Sequence, residues 1–408
     1  MTNEKEQDER LSHLSYPDME VIRCHGTLTS SEGGWIESDF DIVYSPAIGP
    51  RIELKPTNQL PHKVFSSIET RDILEFDGIT TNGKRAYCKQ TFVTQWSYDN
   101  SGFTGILFPQ SHIEIGDKID TNNIRELSCM LLNHSSKNFD LRPVGIPVYF
   151  RGTTGNKKTA SSLNKQLRWP VETGELTVLD EGSLASLQSL ANRIGRLLTF
   201  LEGCYVTYHQ YRLVDSNGRF VRALGFQQTM QPNSSLKVLF NPKIQKPLEK
   251  MASVFLNMDN TLRDGLSLAI TYLASAKSYD TLEQSTMDLA VTWEILRNLF
   301  SDKPAGKTKV SFRVGIENTI KQAGFCESKL NADAEKFRNL RNCIIHEGKA
   351  TKIDITGEKH YAINFGMAFA ADLVILHHLG YNGYVCDRRS YTGWKSQIAM
   401  DDLRLDKE

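Results

Sequence analysis

The hydrophobic period changes once along this chain, and that change decides what it can fold into. From Val21 to about Phe150, apolar residues come in short alternating runs separated by turn residues. Examples are Phe40-Asp41-Ile42-Val43-Tyr44, Arg51-Ile52-Glu53-Leu54, Ile73-Leu74-Glu75-Phe76 and Gly105-Ile106-Leu107-Phe108. Alternation turns successive side chains to opposite faces, so these runs predict strands. Asn82-Gly83 and Asn217-Gly218 each sit between two such runs and predict hairpins with primed turns. Residues 151–168 are rich in Gly, Thr, Ser and Asn and carry Arg151, Lys157, Lys158, Lys165 and Arg168, which predicts a basic loop.

Between Ser183 and Glu202 the spacing of Leu184, Leu187, Leu190, Ile194, Leu197 and Leu201 changes to three and four residues, predicting a helix stopped by Gly203. From Leu248 onward that helical period dominates. Leu248, Met251, Phe255, Met258 and Leu262 form one stripe, and Leu266, Ile270 and Leu273 a second. Thr281 to Phe300 gives a third, Phe312, Ile316 and Ile320 a fourth, then come Ala334 to Glu347 and finally Phe365 to Leu379. Consecutive amphipathic helices with short connections predict a bundle. The fold class is therefore α+β: a β-rich N-terminal domain over residues 18–245 with at least one long helix, then an all-α helical bundle over 246–387. Residues 1–17 read as a flexible, polar N-terminus and 388–408 as a polar, peripheral tail.

Chemistry concentrates on Phe337-Arg338-Asn339-Leu340-Arg341-Asn342-Cys343-Ile344-Ile345-His346-Glu347-Gly348. On a helix, Phe337, Leu340, Cys343 and Ile344 gather on one side, and Arg338, Arg341, Asn342 and His346 on the other. Gly348 suits a left-handed C-cap, which puts His346 in the last turn, where the helix dipole favours a protonated imidazole. A cationic Arg341 and an imidazole on one helix suit a phosphate. Glu294 falls on the apolar stripe of Met287 and Val291; it either receives Arg341 or Arg338, or lies at the stripe's edge and reaches water. Lys303, Lys307, Lys309 and Arg313 form a basic cluster, which reads as a solvated face or, if it flanks the Arg341 cleft, as an RNA-backbone contact. His377 and His378 are adjacent and point about 100° apart, so they chelate one ion poorly, and no metal motif or phosphate-binding glycine loop is present.

The Arg341-Asn342-Cys343-Ile344-Ile345-His346 hexapeptide resembles the signature of HEPN domains, all-helical modules that are often metal-independent ribonucleases. Its setting resembles in particular the ApeA-like group of prokaryotic defence proteins, and the β-rich region looks like the N-terminal domain that accompanies such modules. The resemblance implies a HEPN endoribonuclease with Arg341 and His346 catalytic, and with Asn342, Glu294 and Arg338 in support. It implies no cofactor and no metal. Because one helix spreads Arg341 and His346 roughly 140° apart, it also implies a homodimer or higher even oligomer whose two motif helices share one cleft. RNA, tRNA or another structured RNA, is the expected partner, with antiphage defence by abortive infection as the setting. A phage-derived trigger and a sensing or regulatory role for the N-terminal domain are expected. Rival expectations are a HEPN fold that binds and dimerises without catalysis, and a toxin-like chain neutralised by a separate antitoxin.

Composition narrows the partners. The 48 basic residues balance the 48 acidic ones, so no global polycation attracts nucleic acid, and RNA binding must come from a local patch. Seven scattered cysteines without a Cys-x-x-Cys pair read as reduced thiols, which predicts a cytoplasmic location. Phe365 to Leu376 is interrupted by Asp372 and too short to span a bilayer, so no membrane is expected.

Overall fold

The structure, a computed structural model, describes residues 19–31, 33–45, 49–58, 73–100, 102–110, 112–132, 138–152, 172–225, 237–239, 244–278, 281–301, 310–348, 355–389 and 397–405. The expected flexible residues 1–17, Lys157, Lys158, Lys165 and Arg168 of the basic loop, and Lys303, Lys307 and Lys309 lie outside these residues. The chain forms two compact units, each drawn from separate stretches. The first takes the described residues up to Leu132 with 172–188 and 208–225; the second takes 138–152, 189–207 and those from 237 onward.

Thirteen strands are described between residues 20 and 225. They are β1 (Glu20–Ser30), β2 (Trp35–Ser45), β3 (Gly49–Thr57), β4 (Leu74–Thr80), β5 (Arg85–Asp99), β6 (Gly102–Pro109), β7 (His112–Gly116) and β8 (Ile124–Leu132), then β9 (Phe139–Asp140), β10 (Val148–Gly152), β11 (Glu172–Val178), β12 (Thr207–Asp215) and β13 (Phe220–Gly225). In the first unit β1 pairs with β2, β2 with β3, β3 with β6, β6 with β5, β5 with β4 and β4 back to β1, all antiparallel, so six strands close into a barrel. From β5 the sheet continues through β7, β13, β12, β8 and β11. Leu28, Phe40, Ile52, Phe76, Phe103 and Leu107 fill the barrel, with Phe40 and Phe76 edge to face at 5.0 Å. Each such side chain contributes about 1.5–3 kcal/mol by burial. Where β1 meets β4, Gly26 stands opposite Gly78, and a Cβ on Gly26 would lie 2.5 Å from the Asp77 carbonyl oxygen.

Both Asn-Gly pairs close hairpins, yet not through primed turns. The loops have three residues: the Gly83 N–H donates to the Thr80 carbonyl, the Gly218 N–H to the Asp215 carbonyl, and only the glycines, at φ 78° and 77°, are left-handed. Side chains at the preceding positions decide this. Thr80 Oγ1 accepts from the Lys84 N–H, and Asp215 Oδ1 accepts from the Asn217 and Arg219 N–H groups, which holds a type I turn ahead of a left-handed glycine.

The described residues include seven α-helices, α1 (Leu184–Glu202), α2 (Gln245–Asn257), α3 (Asn260–Ala276), α4 (Leu282–Phe300), α5 (Phe312–Gln322), α6 (Ala334–Glu347) and α7 (Gly357–His378), and a short pair, β14 (Tyr384–Cys386) and β15 (Gln397–Ala399). A β-rich N-terminal part and a helical C-terminal part are thus present. The stripe from Leu248 to Leu262 is two helices, because Asp259 caps α3 by accepting the Leu262 N–H at 2.9 Å. α7 starts eight residues before the apolar run at Phe365, with Thr356 as its N-cap. It is buried nearly all round, from Ile363 to Leu376, so its apolar residues cannot reveal its ends. It packs against α3, α4, α5 and α6. On its first turns, buried His360 meets Thr286 of α4 at 2.7 Å, and Asn364 donates to the Leu282 carbonyl.

Of the described residues from Arg388 onward, Arg388, Met400 and Leu403 are buried rather than peripheral. Arg388 Nη1 and Lys277 Nζ bind the two oxygens of Asp372 at 2.8 and 2.6 Å, with all three side chains about 2–3% exposed. Arg388 also donates to the Lys237 carbonyl, and Met400 and Leu403 are fully buried. Asp372, the interruption in the apolar run, is the anion that lets this polar segment enter the core. Burial pulls the Lys277 ammonium down to about 8, against the attraction of Asp372.

Two outcomes follow from these contacts. Asp372→Ala strands two buried cations and should cost about 3–5 kcal/mol in urea unfolding, whereas a wild-type midpoint would reject the clamp. Gly26→Ala should cost about 2–4 kcal/mol through the clash with β4, against less than about 1 for Thr27→Ala beside it, read as thermal midpoints.

Candidate functional site

The motif helix α6 is fixed at both ends. Asp333 accepts the Lys336 N–H at 2.8 Å, Glu327 accepts the Ala334 N–H at 2.9 Å, and Gly348, at φ 74°, returns its N–H to the Ile344 carbonyl. The predicted faces are present. Phe337, Leu340, Cys343 and Ile344 are buried, Arg338, Arg341 and Asn342 are half-buried, and His346 is exposed in the last turn.

The polar face is not a uniform cluster. Arg341 lies with its guanidinium carbon 5.0 Å from the centre of the Phe312 ring, at the first position of α5. Its Nη1 donates to Asn342 Oδ1 at 3.0 Å, while its Nε is buried without a hydrogen-bond partner among the described residues. Asn342, expected in a supporting role, accepts from Arg341. Arg338 donates to Asn339 Oδ1 at 2.8 Å and stands 3.5 Å from Glu335. Arg313 reaches the same Glu335 at 2.9 Å and Glu317 at 3.3 Å, so it ties α5 to α6.

Glu294 sits at a helix edge, 34% exposed, and its carboxylate is taken by Arg297, one turn along α4, at 2.5 Å. Among the described residues no ion pair joins it to Arg341 or Arg338. Arg297 also donates to the Val310 carbonyl at 3.1 Å and places its guanidinium carbon 5.8 Å from the centre of the same Phe312 ring. Gly315 makes room for it: a Cβ there would meet Arg297 Cδ at 2.9 Å. Phe312, Arg297 and Gly315 are the members of this arrangement that sequence reasoning missed. Phe312 read as one more apolar residue of a stripe, and the one available signal was Arg297 three residues after Glu294, an i,i+3 pair.

No family model, curated protein or solved structure matches this chain. What the site can do therefore rests on its own geometry. A guanidinium stacked on an aromatic ring, with an unsatisfied donor, can take an oxyanion, and an exposed imidazole on the same helix can exchange a proton with water or a ligand. No described helix is long and apolar enough to cross a membrane, and no three His, Cys, Asp or Glu side chains among the described residues converge as metal ligands.

His377 and His378, at the end of α7, are both half-buried. His378 stacks on Phe300 with ring centres 3.5 Å apart and meets His377 edge to face at 5.1 Å. Burial, reinforced by His377, drives the His378 imidazole down to about 4. The unfolded chain then binds a proton that the folded chain refuses, so stability present above pH 6.5 is lost as pH falls towards 4. His378→Phe should flatten the fall in urea midpoint between pH 7 and about 4.5; an unchanged slope would assign that fall to other groups.

Proposed function

We propose that the second unit is a metal-independent endoribonuclease module of the HEPN type, acting on RNA through Arg341 and His346. The observation that carries this reading is the setting of Arg341, stacked on Phe312 with a sealed, unsatisfied Nε, on the helix whose last turn exposes His346. In the proposed reaction a base takes the ribose 2′-hydroxyl proton, and the 2′-oxygen bonds to the adjacent phosphorus. The bond to the 5′-oxygen breaks as an acid protonates it, leaving a 2′,3′-cyclic phosphate and a 5′-hydroxyl. Arg341 binds the phosphate and takes the added charge of the transition state, which its planar fork does better than an ammonium. His346 is one proton carrier. A second copy of α6, from a second subunit, supplies the other and completes the cleft.

The substrate class is tRNA or another structured RNA, and the setting is antiphage defence in which RNA cleavage halts growth. The first unit senses the trigger. A second reading is favoured by one contact: Asn342 is engaged by Arg341 rather than by the imidazole. On that reading the pair binds an anion without turning over.

The deciding experiment incubates the purified full chain with total RNA in excess chelator, beside Arg341→Ala and His346→Ala. Wild type should release fragments ending in cyclic phosphate, and each variant should lose at least about 100-fold in rate. RNA intact in every lane, both in buffer and in extract of phage-infected cells, would leave the anion-binding reading in its place.

A further inference from the structure

We propose that Phe312 is a positioning residue for Arg341, and that Arg297 braces the same ring, so that α4 and α5 set the direction in which α6 presents its cation. The inference deepens the anion-binding role given above to Arg341 and rests on it.

A long arginine on an open helix face samples many rotamers, and ordering it costs conformational entropy whenever it grips a ligand. Two contacts remove that freedom here. The contact with Phe312, with the guanidinium carbon 5.0 Å from the ring centre, holds the fork over the ring. The bond from Nη1 to Asn342 Oδ1 restrains its rotation there. Nε is buried and meets no acceptor among the described residues, so the fork keeps donor capacity for an oxyanion that binds beside it.

Phe312 is held in turn. Ser311 caps α5 by accepting the Val314 N–H, Phe312 lies 6.1 Å from the fully buried Phe337 ring of α6, and Arg297 approaches the Phe312 ring at 5.8 Å. Arg297 is tied to Glu294 and to the Val310 carbonyl, and its stem fits because residue 315 has no side chain. Glu294 thus cancels the charge of Arg297 and leaves that of Arg341 for the ligand. The acidic residue acts at one remove, through a second arginine and a shared ring.

The test follows the Arg341 Nε–H signal by nuclear magnetic resonance in full-length protein, assigned by its loss in Arg341→Lys, with inorganic phosphate as the probe. In wild type the Phe312 ring current should displace this signal from its ordinary position, and phosphate should shift it further. Phe312→Leu should return it to the ordinary position and weaken phosphate binding roughly 5-fold, the worth of one cation–π contact. Phe312→Trp should preserve both. Gly315→Ala, which leaves the ring in place and displaces Arg297, should move the signal part of the way, and it serves if Phe312→Leu unfolds. The double variant Phe312→Leu with Arg341→Ala should bind phosphate no worse than Arg341→Ala alone, since Phe312 acts through Arg341. A signal unmoved by both Phe312→Leu and Gly315→Ala would overturn the proposal. A signal and phosphate affinity that respond as stated, in a protein that leaves RNA intact, would uphold the positioning and remove the ribonuclease reading.

Discussion

The helical unit depends on one buried negative charge. Asp372 lies six residues before the end of α7, the helix against which α3, α4, α5 and α6 pack, and it takes Lys277 from α3 on one oxygen and Arg388 on the other. A lone carboxylate in such a position would cost several kcal/mol, as would either cation, and only the set is tolerable. The set still carries a net positive charge, and burial, aided by the nearby Arg388, shifts Lys277 towards neutrality. Through Arg388 the same carboxylate fastens the last stretch of chain and, by the Lys237 carbonyl, the segment ahead of α2.

The candidate site inherits its rigidity from this core. α6 lays Phe337 and Leu340 against the bundle, and its ends are closed by Asp333 and Gly348, so the backbone under Arg341 and His346 has little freedom. Its two functional side chains differ in how far that rigidity reaches them. Arg341 is held by a ring and an amide, whereas His346 stands exposed in the last turn. An arrangement with one preorganised partner and one exposed partner becomes effective when a further surface covers the second.

Much of this was legible in the sequence wherever periodicity had contrast. The strands of the barrel, α1 with its terminal Gly203, and α6 with its cap and its two faces all follow from apolar spacing and punctuation. The Asn-Gly pairs located two hairpins, but the turn type depended on Thr80 and Asp215, whose side chains reach across the loop. α7 concealed its own start because a helix buried on every side has no polar face to phase it. The segment from Arg388 concealed its burial because polarity counts charge residue by residue, and the compensating charge of Asp372 lies 16 positions earlier. Phe312, Arg297 and Gly315 were invisible as a group for the same reason: what joins them is one ring approached by arginines from two other helices, which leaves no spacing rule in the chain.

The division of the chain between the two units also bears on descent. Each unit takes its residues from several stretches, with 189–207 belonging to the second and 208–225 to the first. A recombination event with a single crossover cannot deliver both units whole, since residues 138–152 and 189–207 of the second lie between stretches of the first. An exchange that kept one unit whole would leave the other incomplete, so the two are expected to vary by substitution and by loop insertion rather than by shuffling.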